Sequence, residues 1–138
     1  MKIIIARILS SMIKCKVIFR HSIHLMNSKQ NHLFIILGLG SIGKKHARVI
    51  HQLKGKLICV DPSSDARKWV KDELAENPLT FSSMDEAKSH IQQSKDNKIG
   101  VISNWGPAHY SSDQDLVALG VKKLYIEKPL ANSLKGID

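Results

Sequence analysis

From residue 33 onward, short apolar runs alternate with stretches of helical periodicity. Residues 33–37 (LFIIL) are a continuous apolar run closed by Gly38, the pattern of a strand buried on both faces of a parallel sheet. Ile42, Ala47, Val49, Ile50 and Leu53 then recur at helical spacing, and Gly55 marks where the chain leaves that helix. Residues 57–60 (LICV) form a second apolar run, closed by Asp61-Pro62. Residues 64–74 predict a polar helix with Trp69, Val70 and Leu74 as its buried stripe. A weak third strand is expected at 79–81. Ser83 and Glu86 have capping-box spacing and open a helix to about Gln93. A fourth strand is expected at 100–103, a helix at 107–119 ended by Gly120, and a fifth strand at 124–126. A sixth element is expected near Asn132 or Ser133.

This β-α alternation predicts an α/β fold: a Rossmann-like, doubly wound parallel sheet of about five strands, incomplete at its C-terminal edge. The 138 residues suit one domain, and 43% apolar with 24% charged residues is ordinary globular composition. The division expected is a basic N-terminal extension, 1–32, followed by the Rossmann domain, 33–138.

Charge changes the picture less than its size suggests. The formal net charge is +9, but residues 1–33 hold six basic groups and no acidic one, which leaves +3 for the rest. A nucleic-acid reader places its basic stripe on a folded face, so no specific nucleic-acid partner is expected. Arg7, Lys14, Lys16 and Arg20 interrupt every apolar run of the extension, which leaves no membrane span and a poor secretory signal. The extension is expected to be an irregular or helical overhang from an upstream start, with Met26 the natural beginning of the domain. Its acid-free, Arg- and Ser-containing make-up also has the look of a transit peptide. Cys15 and Cys59 lack metal-ligand spacing. No metal site is expected, and a cytoplasmic location is.

The sharpest chemistry is Gly38-Leu39-Gly40-Ser41-Ile42-Gly43, placed between a buried strand and a helix. In a dinucleotide-binding turn the first glycine permits the tight turn, the second lets backbone approach the pyrophosphate, and the third lets helix and strand pack closely. The helix N-terminus then presents unpaired N–H groups to phosphate. Asp61 lies at the end of the second strand, 21 residues after Gly40, where a carboxylate accepts from the adenosine ribose and favours NAD. Arg67 argues the other way, since a nearby arginine accommodates the 2′-phosphate of NADP. The bland alternative for Asp61 is an Asp-Pro turn. A P-loop fails at Lys45, where Ser or Thr should hold Mg²⁺. A methyltransferase also uses a glycine-rich first turn, and only the segments after strands four and five separate it.

Those segments are Ser103-Asn104-Trp105-Gly106-Pro107-Ala108-His109 and Glu127-Lys128-Pro129-Leu130-Ala131. In an open α/β sheet both lie on the ligand-binding edge. On residue chemistry alone Lys128 reads first as a solvated surface lysine and second as a proton relay, whereas His109 is as consistent with a helix-start histidine facing solvent as with a site role.

With these motifs in hand, the chain from about Leu33 resembles the N-terminal domain of the Gfo/Idh/MocA oxidoreductases, which include glucose–fructose oxidoreductase and inositol 2-dehydrogenase. The carriers are GLGSIGKKHARVI (38–50, with His46), GPAH (106–109) and EKPLA (127–131). The resemblance implies that Gly38, Gly40, Ser41, Ile42 and Gly43 hold the pyrophosphate and Asp61 the adenosine ribose. It implies that Asn104, Trp105 and His109 line the path to the nicotinamide. Glu127 and Lys128 would then sit at the nicotinamide end, with Lys128 catalytic. The implied cofactor is NAD, with NADP as the alternative. The implied reaction is hydride transfer at a sugar- or polyol-like hydroxyl. Asn104-Trp105 departs from the smaller Thr-Pro pair common at this turn. The family's second domain, which supplies the substrate pocket, is missing. The expectation is therefore a truncated enzyme with little turnover, which meets a small-molecule substrate only if that domain is supplied. The alternative is a non-catalytic NAD(P)-binding module or half-subunit completed by a partner chain. Oligomeric state is not legible.

Overall fold

The computed structural model describes residues 2–4, 31–76 and 78–128. Its elements are β1 (Lys2–Ile4), β2 (His32–Leu37), α1 (Ser41–Gln52), β3 (Lys56–Val60), α2 (Ser64–Glu73), β4 (Leu79–Phe81), α3 (Met84–Gln93), β5 (Asn97–Ile102), a 3₁₀ turn (Gly106–Ala108), α4 (His109–Ala118) and β6 (Lys123–Ile126). The strands form one parallel sheet in the order β1-β6-β5-β2-β3-β4. From β2 onward this is the expected doubly wound α/β arrangement, with β2 central and the order of the strands reversing where β5 pairs with β2.

The central strand shows why continuous apolar runs were needed. Phe34 and Ile36 join one core with Ala47 and Ile50 of α1 and Val70 of α2. Leu33, Ile35 and Leu37 join the opposite core with Ala87 and Ile91 of α3 and Leu116 of α4. Alternate side chains of one strand thus feed two layers, and a polar residue at any of these positions would be buried. Ile35 and Ile36 are fully buried, worth about 1.5–3 kcal/mol each by removal from water.

Several boundaries depart from the sequence expectation. β5 begins at Asn97, three residues earlier than expected, because His32 and Leu33 of β2 supply its backbone partners. The last helix opens as a 3₁₀ turn at Gly106–Ala108, with Pro107 in its first turn. After α1 the left-handed residue is Lys54 (φ 60°), not Gly55. Gly55 instead lets the loop pass close, since a β-carbon there would press on Ile50 and Phe34. Ser83 caps α3 by accepting from the Glu86 N–H, while the Glu86 carboxylate returns to the Ser82 N–H. Lys2–Ile4 of the basic extension pairs in parallel with β6, Lys2 opposite Lys123 and Ile4 opposite Tyr125. The reading of 1–32 as an overhang did not include this strand. The expected sixth element near Asn132 or Ser133, and Met26 as a domain start, lie outside the described residues. Among those residues no helix is long and apolar enough to cross a membrane.

Candidate functional site

Strand β2 ends at Leu37, and the glycine turn is built against its neighbours. Gly38 takes φ 92°, a left-handed conformation that favours glycine. Its N–H donates to the Val60 carbonyl at 2.9 Å. A β-carbon on Gly38 would strike the Asn104 backbone, and one on Gly43 would strike the Gly38 carbonyl oxygen. These two glycines let three loops and α1 meet. Gly40 is different. It is exposed, its backbone is extended (φ −66°, ψ −169°), and a β-carbon there would meet nothing within 4 Å. Nothing among the described residues demands a glycine at 40. The space in front of it is open, at the N-terminus of α1, where N–H groups lack helical partners.

Asp61 leaves β3 beside this turn. Its Oδ2 accepts from the Leu39 N–H at 2.6 Å and its Oδ1 from the Ser63 N–H at 2.8 Å. The carboxylate is therefore more than the corner of an Asp-Pro turn, because it ties the β3 exit to the glycine turn. An ionised carboxylate has about four acceptor positions, so it retains capacity for ligand hydroxyls. Arg67 turns its Nη1 to the carbonyls of Asp61 (2.7 Å) and Pro62 (2.8 Å). It is held by its own loop.

The third wall follows β5. Ser103 N–H donates to the Leu37 carbonyl (2.8 Å), and its hydroxyl donates to the Gly38 carbonyl (2.9 Å). Asn104 Nδ2 donates to Ser112 Oγ (2.8 Å), while Asn104 Oδ1 is buried with no hydrogen-bond partner among the described residues. Trp105 is 77% exposed. His109 is 2% exposed and its Nε2 lies 2.9 Å from the Asn104 carbonyl. It braces the loop from inside.

These walls enclose an open cleft of about 560 Å³, lined by Gly38, Gly40, Asp61, Pro62, Ser103, Asn104 and Trp105 among others. Of the expected site residues, Gly38, Gly40, Asp61, Asn104 and Trp105 line it, whereas Ser41, Ile42, Gly43, His109, Glu127 and Lys128 do not. Ser41 and Ile42 are exposed in the first turn of α1, and Gly43 is buried. Pro62, Met84, Ser103 and Ser112 line the cleft as well. Ser103 stands in the segment read after the fourth strand and Pro62 just beyond β3, positions that point to the ligand edge, whereas Met84 opens α3 and Ser112 lies within α4, where no sequence signal marks them.

A second cluster lies at the β6 exit. His46 on α1 is buried, and its Nε2 lies 2.7 Å from Glu127 Oε1. Tyr125 meets the imidazole edge-on at 5.2 Å. Hydrogen bonds from His46, the Tyr125 side chain and the Lys128 backbone hold the Glu127 carboxyl below its ordinary value. An ionised carboxylate only accepts, so His46 Nε2–H is the donor. Lys128 is exposed. Cys59 is free and buried in β3, and burial pushes its thiol up to about 12, so it is no nucleophile. Among the described residues no group of His, Cys, Asp and Glu is placed to hold a metal ion.

No family model matches the chain. It is 29% identical over 104 residues to an inositol 2-dehydrogenase of Agrobacterium fabrum, covering 73% of this chain and 30% of the relative. Among solved structures it resembles the WlbA (WbpB) dehydrogenase from Thermus thermophilus in complex with NAD and UDP-GlcNAcA. That match has a TM-score of 0.63 and 21% identity, over 75% of this chain and 35% of that one. It also resembles RSP, a Rex-family repressor, with a TM-score of 0.60 and 15% identity, over 83% of this chain and 53% of that one. These structural likenesses show the fold. The chain spans about a third of the two dehydrogenases it matches. The curated relative is one of the enzymes named by the resemblance read from GLGSIGKKHARVI, GPAH and EKPLA. Motifs and comparison agree that this is a Rossmann-type domain similar to the N-terminal domain of Gfo/Idh/MocA oxidoreductases.

Proposed function

We propose that the chain is the NAD-binding domain of a dehydrogenase that moves hydride to or from a sugar- or polyol-like carbon, and that turnover needs a substrate-binding part outside this chain. The observation that carries this is the cleft itself. One open cavity brings together the glycine turn, the carboxylate of Asp61 and the 103–105 loop. A dinucleotide fits what is there. Gly40 faces open space at a helix N-terminus, which suits a pyrophosphate. Asn104 Oδ1 is a buried acceptor awaiting a donor. When bound, the nicotinamide supplies the hydride chemistry. The chain's own contribution is binding, orientation and proton handling. The turn Gly38–Gly43, with Ser41 and Ile42 in its helical half, holds the pyrophosphate, and Asp61 accepts from the adenosine ribose. Asn104 and Trp105 wall the base side, with His109 bracing them. Lys128, beside Glu127, carries the proton to or from the substrate oxygen. A cytoplasmic setting is part of this reading, supported by the free Cys59 thiol.

Asp61 together with the engaged Arg67 favours NAD over NADP. Trp105, exposed at the cleft, reports binding by fluorescence. We expect NADH to bind at least about tenfold more tightly than NADPH, about 1.4 kcal/mol. Equal or reversed affinities would remove Asp61 from the ribose site.

The second reading is an NADH-responsive module without turnover, alone or completed by a partner chain. The likeness to the Rex-family repressor favours it, since that protein was also solved in complex with beta-NADH, with a TM-score of 0.57. Supplying the second domain of a related dehydrogenase in trans separates the two. Hydride transfer on mixing supports the split enzyme; unchanged NADH binding with no turnover for any polyol supports the module.

A further inference from the structure

We propose that His46 and Glu127 are a positioning pair, in which the buried imidazole on α1 fixes the Glu127 carboxylate and, through it, the backbone of Lys128 at the nicotinamide side of the site. The inference rests on the dinucleotide reading above. It gives Glu127 a role other than direct cofactor contact.

The geometry runs in one line from helix to lysine. His46 follows Gly43 by three residues, so it points inward on the same face of α1. It is 5% exposed. A side chain this buried and polar needs a partner, and Glu127 Oε1 at 2.7 Å is one. Tyr125, two residues before Glu127 on β6, backs the ring edge-on. Glu127 is gripped from both ends. Its N–H donates to the Ile102 carbonyl of β5 at 2.9 Å, and its carboxylate holds the His46 ring at 2.7 Å. These two anchors matter because Glu127 supplies the carbonyl of the peptide from which Lys128 projects. The other end of the line is α1, whose N-terminus faces the cleft. A ligand that seats against α1 and a lysine that follows β6 are thus referred to one rigid frame.

A carboxylate with these donors is a poor proton source at neutral pH, since each bond favours its charged form. Glu127 therefore acts by holding the segment in place.

The test measures ADP-ribose and NADH affinities on the full 138-residue chain. Their ratio isolates what the nicotinamide half adds. Thermal melts and ADP-ribose binding report on folding and on the adenosine half. Glu127→Ala should leave ADP-ribose affinity within about twofold and cut the nicotinamide contribution about tenfold. Glu127→Gln, whose amide oxygen can still accept from His46, should restore most of it. His46→Gln should fall between. Emission of bound NADH should change in the same order, which a loss of stability alone would not produce. A nicotinamide contribution unchanged in Glu127→Ala overturns the proposal. So does equal loss of both affinities in Glu127→Gln, which would make the pair a structural pin only. If the unaltered chain binds neither ADP-ribose nor NADH, the dinucleotide reading itself fails, and this inference fails with it.

Discussion

Gly40→Val separates folding from binding more cleanly than any other single change in the glycine turn. The residue has an extended backbone that valine also adopts. A β-carbon there meets no atom of the described residues within 4 Å, so the change avoids the backbone collision that a side chain at Gly38 or Gly43 would suffer. Two small terms remain. As the N-cap of α1, glycine outranks valine, a cost of about 0.5–1.5 kcal/mol. Valine restricts the unfolded chain, a gain of about 0.4–1 kcal/mol. The net change is within about 1 kcal/mol, or less than about 8 °C in melting temperature for a domain this size. The Lys44 N–H to Gly40 carbonyl bond at 3.0 Å opens the helix and survives the change, since it uses backbone only. A ligand phosphate seated at the helix N-terminus, however, has to occupy the space the new side chain fills. We expect NADH affinity to fall at least about 30-fold, about 2 kcal/mol, read as loss of Trp105 quenching at an unchanged circular dichroism spectrum. Gly40→Ala should give a smaller step in the same direction. A folded Gly40→Val protein that binds NADH as tightly as the unaltered chain would refute the placement of a pyrophosphate at this turn.

Gly43→Ala should do the opposite and act on the fold. Its β-carbon would collide with the Gly38 carbonyl oxygen and crowd Ser103 Oγ, an overpacking cost of about 2–3 kcal/mol visible as a melting point lower by at least about 8 °C. Lys54→Gly should raise stability by about 0.5–1 kcal/mol in urea unfolding, because Lys54 holds a left-handed backbone (φ 60°) that glycine adopts without a Cβ penalty. Glu127 makes stability depend on acid. Its carboxyl is held below the ordinary value, so its contribution is complete above the unfolded carboxylate pKa and drains away as pH falls through the lowered one. Glu127→Gln should therefore flatten the decline in melting temperature below about pH 5; an unaltered acid limb would show that the carboxylate contributes nothing.

What the sequence displayed and what it hid follow one physical rule. Side chains that bury leave a pattern, so β2, β3, the Trp69–Val70–Leu74 stripe and the cap at Ser83 were legible. Contacts made by backbone leave none. Asn97 and Lys98 look like loop residues, yet they extend β5 because His32 and Leu33 offer peptide groups across from them. Asp61 was recognisable by its spacing, but not its bond to the Leu39 N–H. His109 could not be placed from its neighbours. A histidine at a helix start faces either way, and the Asn104 carbonyl draws it inward. The His46–Glu127 pair joins residues 81 apart, and both motifs were noticed without the contact between them.

The parallel pairing of Lys2–Ile4 with β6 bears on the order in which the chain folds. Lys2 lies opposite Lys123, about 120 residues away, whereas Leu33 finds Lys56 about 20 residues on. Closing the larger loop costs about 1.5 kcal/mol more in chain entropy. High sequence separation of this kind slows folding. On the ribosome β1 is made well before β6 emerges, so it docks only after β2, β3 and β5 have had time to pair.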